Sequence, residues 1–195
     1  MATTRRIVTT VVIVAGLLAL TSVSTLAVFT DQRIVAANTV STGMIDLGAS
    51  PTSALVTYSG MVAGDAVTDD VVVTNRAGSS ALRYSVSSTA TNTDAKGLKD
   101  QLVLQIKTID VTTPVSPCSE FDGTQLYSGD LDATAGLLVG NPAQGFHTGD
   151  RPLAVAGEET LCFRVTLPVG TATSFDLSTT TATFTFTAEQ TANNL

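Results

Sequence analysis

The chain has 195 residues, 44% of them hydrophobic, with no tryptophan and a formal net charge of −7. This length allows one domain of ordinary size and excludes two large ones. The 17 acidic residues outnumber the 10 basic ones, and no run of basic residues exceeds two, which excludes the usual electrostatic means of binding nucleic acid. Such a composition is typical of a soluble surface protein.

The first 27 residues predict a secretory signal peptide. An arginine pair forms a positively charged N-terminal region, and residues 7–20 follow without a charge. Thr25 and Ala27 are small or polar residues at the −3 and −1 positions of a cleavage site before Val28. The alternative is an uncleaved membrane anchor, but the apolar core of 14 residues is shorter than the roughly 20 that a spanning helix needs. We therefore expect a secreted or cell-surface protein that signal peptidase cuts between Ala27 and Val28.

Strand patterns continue through the rest of the chain. Short segments rich in β-branched and aromatic side chains alternate with turn residues, which is typical of antiparallel sheets. The predicted strands are residues 44–47, 54–58, 67–74, 82–86, 102–109, 161–167 and 182–188. About eight strands predict an all-β fold, a jelly-roll-like β-sandwich over residues 39–190. Residues 191–195 are a predicted tail.

Two segments interrupt this pattern. Residues 94–101 predict one short helix, weakened by Gly97, so the fold should contain one or two short helices. Residues 110–152 hold four prolines and several glycines and predict a long loop excursion, with short strands near Leu126 and Leu137. A loop of this length in a compact domain is usually functional or tied down.

The two cysteines are Cys118, in the excursion, and Cys162, in a later strand. In an exported protein an even cysteine count predicts a disulfide; two buried free thiols are the alternative. A bond would be worth on the order of 3–4 kcal/mol in the chain-entropy model. Two cysteines and a single histidine do not make a zinc site, and we expect no metal or other cofactor.

Few residues are candidates for catalysis. His147 lies in a turn-like setting, and we expect it to be an exposed loop residue. A catalytic histidine needs a nucleophile and an orienting acid, and the sequence shows neither nearby. The carboxylate pairs Asp69–Asp70 and Asp130–Asp132 have oxygens that calcium could use. Neither pair fits the calcium-hand loop, and Asp69 and Asp70 would point to opposite faces of a strand. Solvated surface charge explains both pairs better. We therefore predict no catalytic residue and no enzymatic activity.

The start of the mature chain resembles the TasA/camelysin family. Residues 27–31 (AVFTD), followed by residues 43–47 (GMIDL), are similar to that family's Ala-x-Phe-(Ser/Thr)-Asp stretch at a dedicated signal-peptidase site and its Gly-x-(Leu/Ile)-Asp-Leu strand. Residues 63–65 (AGD) and 75–85 (NRAGSSALRYS) resemble its Pro-Gly-Asp…Asn-x-Gly…Tyr pattern, with alanine in place of proline. The final strand segments are similar to the last strands of some members.

This resemblance implies a jelly-roll domain that assembles into extracellular fibres of the biofilm matrix, where the N-terminal strand of one subunit completes a sheet of the next. Residues 28–38 are then the candidate donor strand. The positions assigned to polymerisation are Val28, Phe29, Thr30, Asp31, Ile34 and Val35. Even-numbered residues would share one face of the strand and odd-numbered residues the other. Which face is buried stays open, and the alternative is a strand that folds back into its own domain.

The sequence thus predicts a secreted structural protein, a subunit of matrix fibres built by N-terminal donor-strand exchange. Its expected partners are further copies of itself, arranged head to tail, signal peptidase during export, and other matrix proteins. The alternative is a monomeric cell-surface binding module that displays residues 110–152. Camelysin also gives the family a metalloprotease label, but a single histidine does not support the zinc ligand set of such an enzyme.

Overall fold

The structure is a computed structural model that describes residues 44–52, 60–109, 117–192 and Asn194, all of which lie in one compact unit, Thr42–Leu195. Its strands are β1 (Leu47–Ser50), β2 (Ala66–Asn75), β3 (Leu82–Ala90), β4 (Val103–Thr108), β5 (Gln125–Asp130), β6 (Leu137–Val139), β7 (Arg151–Leu153), β8 (Glu158–Thr166) and β9 (Ala182–Gln190). The helical elements of these residues are three 3₁₀ turns, at Leu98–Asp100, Thr134–Gly136 and Thr173–Phe175. The predicted all-β fold is confirmed.

The strands form two antiparallel sheets. The first sheet has the order β1-β2-β8-β4-β5. In the second sheet β3 is central, with β9 along one side and the short strands β6 and β7 along the other. This arrangement has the two layers of a β-sandwich, in which apolar residues of both inner faces make one core.

The core lies between the two sheets because alternate residues of each strand point inward. On β8 the inward positions include Leu161 and Phe163, which are fully buried. The Phe163 ring packs edge-on against Phe184 of β9, with ring centroids 5.1 Å apart. Each fully buried side chain of this size contributes about 1.5–3 kcal/mol through removal from water, so these contacts hold the sheets together.

A buried polar group also connects the sheets. The hydroxyl of Tyr84 (β3) donates to a carboxylate oxygen of Glu159 (β8) at 2.6 Å, and Arg151 (β7) donates to both oxygens of that carboxylate. Burial, together with the hydrogen bond to Glu159, raises the pKa of Tyr84 well above its usual value. The hydrogen bond to Glu159 raises the pKa of Arg151. The tyrosine therefore stays neutral and the arginine stays charged, as this geometry requires.

Strands β6 and β7 together form one interrupted strand. Val139 of β6 pairs with Val86 of β3, and Arg151 of β7 pairs with Tyr84. Only Ser85 separates those two positions on β3, so residues 140–150 leave the strand and return to almost the same point. We call these residues the 140–150 loop.

Most strand predictions are confirmed, since residues 67–74, 82–86, 102–109, 161–167 and 182–188 correspond to β2, β3, β4, β8 and β9. Prediction of a strand at residues 44–47 is wrong by three residues, because β1 begins at Leu47. The carbonyls of Met44 and Asp46 accept hydrogen bonds from Ser80 and Arg76 in the β2–β3 connection instead. The predicted strand at residues 54–58 lies outside the described residues.

The structure also places the two irregular segments. The helix predicted at residues 94–101 is reduced to the turn Leu98–Asp100, preceded by Gly97 in the left-handed region at φ 77°. The strands predicted near Leu126 and Leu137 are present as β5 and β6. Residues 110–116 lie outside the described part of the chain. Among the described residues there is no helix long and apolar enough to cross a membrane.

Candidate functional site

Strand β9 forms a long, regular edge of the second sheet. It pairs with β3 in unbroken register over nine residues, from Ala182 opposite Ala90 to Gln190 opposite Leu82. Within the described ranges β3 is its only strand partner. The strand contains no proline and a single charged residue, Glu189. With respect to the residues that the structure describes, its outer side therefore offers backbone N–H and C=O groups to an additional strand.

The two faces of β9 differ sharply in chemistry. Phe184, Phe186 and Ala188 point toward the core, where they pack as partly buried side chains. The Phe186 ring lies 6.2 Å from that of Tyr84. The opposite face carries Thr183, Thr185 and Thr187, all exposed. The inward rings are only partly covered, so a strand added at this edge would bury more apolar surface.

The C-terminal end of β9 is fixed by a polar cluster around Arg83. The Arg83 guanidinium donates to Glu189 at 2.5 Å and to the backbone carbonyl of Asn194 at 2.8 Å. The Asn194 amide donates to the other oxygen of Glu189 at 2.7 Å. Burial alone would raise the pKa of Glu189, but hydrogen bonds from Arg83, Asn194 and the Gly145 backbone lower it. Glu189 is therefore held as a carboxylate.

The 140–150 loop folds over the outer face of the second sheet and reaches this cluster. The carboxylate of Asp150 accepts hydrogen bonds from the backbone N–H groups of Asn141, at 2.9 Å, and His147, at 2.8 Å. The N–H of Gly145 donates to Glu189 at 3.2 Å. Gly140 has φ 63°, and a Cβ there would lie 2.9 Å from the Asp150 Cα, so only glycine fits where the two ends of the loop meet.

The predicted disulfide between Cys118 and Cys162 is present, with Cα atoms 5.4 Å apart. It ties the segment that precedes β5 to the outer face of β8. Phe121 of that segment is buried between two cations, with the Lys107 ammonium 4.7 Å and the Arg164 guanidinium 3.9 Å from its ring centroid. A disulfide bond such as Cys118–Cys162 is typical of proteins that fold in an oxidising compartment.

The cleavage site and the candidate donor strand, residues 28–38, lie outside the described residues, so the structure does not bring them to β9. The residues concerned are Ala27, Val28, Phe29, Thr30, Asp31, Ile34 and Val35. Their assignments stay predictions.

The other singled-out residues form no common site. His147 is partly buried in the 140–150 loop, where we expected an exposed side chain, because the turn closed by Asp150 draws it inward. Asp132 pairs with Lys99 at 2.9 Å, and Asp69 accepts from the backbone N–H of Asp70. In the described part of the chain, no three histidine, cysteine or acidic side chains cluster as a metal site.

A small cleft lies between the 140–150 loop and β9, lined by residues that include Arg83, Asp150 and Glu189. Its cavity volume is about 30 Å³, which holds one or two water molecules, whereas small-molecule sites measure roughly 300–1,000 Å³. The open β9 edge is therefore the better candidate site.

No family model matches the chain, and no curated protein is significantly similar to it. The resemblance to the TasA/camelysin family therefore stays a prediction, and the site must be interpreted from its own geometry. The sequence predicts the 140–150 loop only as part of the irregular segment 110–152, and it does not reveal the open edge of β9. The alternating, uncharged Thr-x-Thr-x-Thr pattern of residues 183–187 is the one signal that pointed to a two-faced strand here.

Proposed function

We propose that this protein is a secreted structural subunit that polymerises by strand addition. In this proposal residues 28–38 of one copy, freed by cleavage at Val28, pair with the open edge of β9 in the next copy. The observation that supports it most directly is the β9 edge itself, which is nine residues long, regular, and uncharged up to Glu189. Natural proteins usually protect such an edge, because it templates pairing with other chains.

Length and side-chain pattern suit residues 28–38 to this edge. Eleven extended residues span roughly 36 Å, and the nine residues of β9 span roughly 30 Å. The segment contains no proline or glycine and carries several β-branched residues. Its apolar side chains can cover Phe184 and Phe186, which the isolated domain leaves partly exposed.

The proposed contact joins two different surfaces of the same protein. Such a heterologous contact repeats without closing on itself and generates open filaments. A matrix or cell-surface fibre is the assembly that this geometry suits, with signal peptidase acting first and other matrix proteins as additional partners. The signal-peptide pattern and the disulfide, which favours an oxidising setting, support export. The proposal assigns no catalytic activity to the chain.

A second candidate function is a monomeric binding module. The observation that favours it is the exposed ring of Phe146, 70% accessible, on a loop held by several hydrogen bonds. In that case the 140–150 loop would contact a glycan or protein, and β9 would remain a solvated edge.

Hydrogen exchange of the mature chain, residues 28–195, distinguishes these functions. We expect residues 182–190 to gain at least ten-fold protection when the chain is concentrated enough to assemble, because an added strand satisfies their free N–H groups. Residues 125–130, at the edge of the first sheet, serve as the internal control and should not change. Assembly without added protection in β9, or equal protection at both edges, would contradict the proposal.

A further inference from the structure

The 140–150 loop is an extruded loop mounted on an otherwise continuous strand. Its ends meet at Gly140 and Asp150, and its body covers the outward side chains of Arg83 and Ser85, both buried. A compact surface loop with closely spaced ends and internal packing is an Ω-loop, a type that frequently carries function.

Hydrogen bonds and one ion pair hold this loop in place. Asp150 has only 4% of its side chain exposed, and it lies 3.8 Å from the Arg83 guanidinium while accepting two backbone N–H groups of the loop. The backbone N–H of Gly145 donates a hydrogen bond to the Glu189 carboxylate on β9. A surface fixed before binding loses little conformational entropy when a partner arrives.

The loop presents one large apolar side chain near the Arg83 cluster at the C-terminal end of β9. Phe146 follows Gly145, and its ring centroid lies 6.0 Å from the Arg83 guanidinium, which in turn binds Glu189. The ring therefore lies over the outer face of the second sheet, near the C-terminal end of β9. Exposed aromatic residues on fixed surfaces are frequent anchors of protein interfaces.

We propose that the 140–150 loop forms the outer wall of the strand-addition site, and that Phe146 packs on residues 28–38 of the incoming copy. The inference rests on the proposed function and adds a second contact surface to it. A strand at this edge would then be covered on both faces, by Phe184 and Phe186 on the inner side and by Phe146 on the outer side.

The pattern of residues 28–38 agrees with burial on two faces. Apolar side chains occur at even positions, in Val28 and Ile34, and also at odd positions, in Phe29 and Val35, on either side of the polar residues 31–33. A strand with one solvated face would alternate apolar and polar residues, whereas a strand covered on both faces carries apolar residues at both parities. The imperfect alternation of the donor segment thus has a physical explanation.

The test compares assembly of mature chains, residues 28–195, that carry Phe146→Ser or Leu177→Ser. Leu177 is 97% exposed in the β8–β9 connection, so its variant is the matched control for loss of an exposed apolar side chain. We expect Phe146→Ser to raise the critical concentration for assembly at least five-fold, with an unchanged melting temperature. Phe146→Tyr and Leu177→Ser should assemble like the parent chain.

The outcomes separate this inference from the proposed function. If the parent chain assembles with protection of β9 and Phe146→Ser assembles at the same concentration, the outer wall is refuted and strand addition stands. If Leu177→Ser raises the critical concentration as much as Phe146→Ser, loss of any exposed apolar side chain weakens assembly, and the inference is overturned. A parent chain that never assembles overturns the proposed function, and this inference with it.

Discussion

Among the strands that the structure describes, β5 and β9 both lie at a sheet edge, but their lengths, pairing and charge differ. β5 has six residues, its pairing with β4 shifts register between Ile106 and Lys107, and it ends at Asp130. β9 has nine residues in unbroken register and no charge before Glu189. Short length, irregular pairing and charge are the features by which proteins keep edges from pairing with other chains.

The remaining edges resemble β5 rather than β9. β1 has four residues and is followed by Pro51, and the part of β2 that β1 leaves uncovered carries Asp69 and Asp70. On the far side of the second sheet, β6 and β7 have three residues each, and β7 contains Pro152. Protection is therefore distributed unevenly over the described edges, and β9 is the described edge that is left free to pair.

The largest effect is expected from Arg83→Met, which breaks the cluster that anchors β9. The substitution leaves the carboxylates of Asp150 and Glu189 without their cation, although Asp150 is almost fully buried. Loss of one partner from a buried ion pair costs about 3–5 kcal/mol, so urea-induced unfolding should show a destabilisation of that size. Arg76→Met is the control, because its pair with Asp46 is exposed and is worth roughly 0–1 kcal/mol. Equal losses from both variants would contradict the assigned anchoring role.

A smaller effect is expected from Thr185→Lys, which gives β9 the protection that the other edges already have. Thr185 is exposed on the outward face, so stability should change by no more than about 0.5 kcal/mol. Assembly should weaken about ten-fold, equivalent to about 1.4 kcal/mol per contact, because a lysine at an edge opposes strand pairing. Light scattering against concentration measures this shift.

Thr89→Lys provides the matched comparison for that variant. Thr89 is exposed on the same face of the same sheet, one strand inward, opposite Thr183. The same charge therefore enters the protein away from the outer edge of β9. If both lysines weaken assembly equally, the effect comes from net charge and not from the edge. The difference between β9 and the other edge strands would then not explain assembly.

Much of the fold could be predicted from the sequence because the main strands are long enough to show alternation. Residues 161–167 and 182–188 each place apolar side chains on one face, and both segments are strands in the structure. The disulfide could be predicted from cysteine count and the expected export. By contrast, β6 and β7 have three residues each, which is too short for a periodic pattern, so the sequence predicts the loop between them only as part of one long irregular segment.

The candidate site was harder to predict because it depends on strand order. Whether β9 is central or at an edge follows from which strands flank β3, and alternation within residues 182–188 carries no such information. The position of Phe146 near Arg83 depends on the return of the 140–150 loop to its starting point. The identity of residues 28–38 as donor came from the family resemblance alone and stays a prediction.

The most direct test is negative-stain electron microscopy of two purified chains, one beginning at Val28 and one at Thr39. The shorter chain lacks residues 28–38 but retains the whole compact unit, Thr42–Leu195. We expect filaments from the chain that begins at Val28 and monomers from the chain that begins at Thr39. Monomers from both chains, or filaments from both, would contradict assembly by donation of residues 28–38.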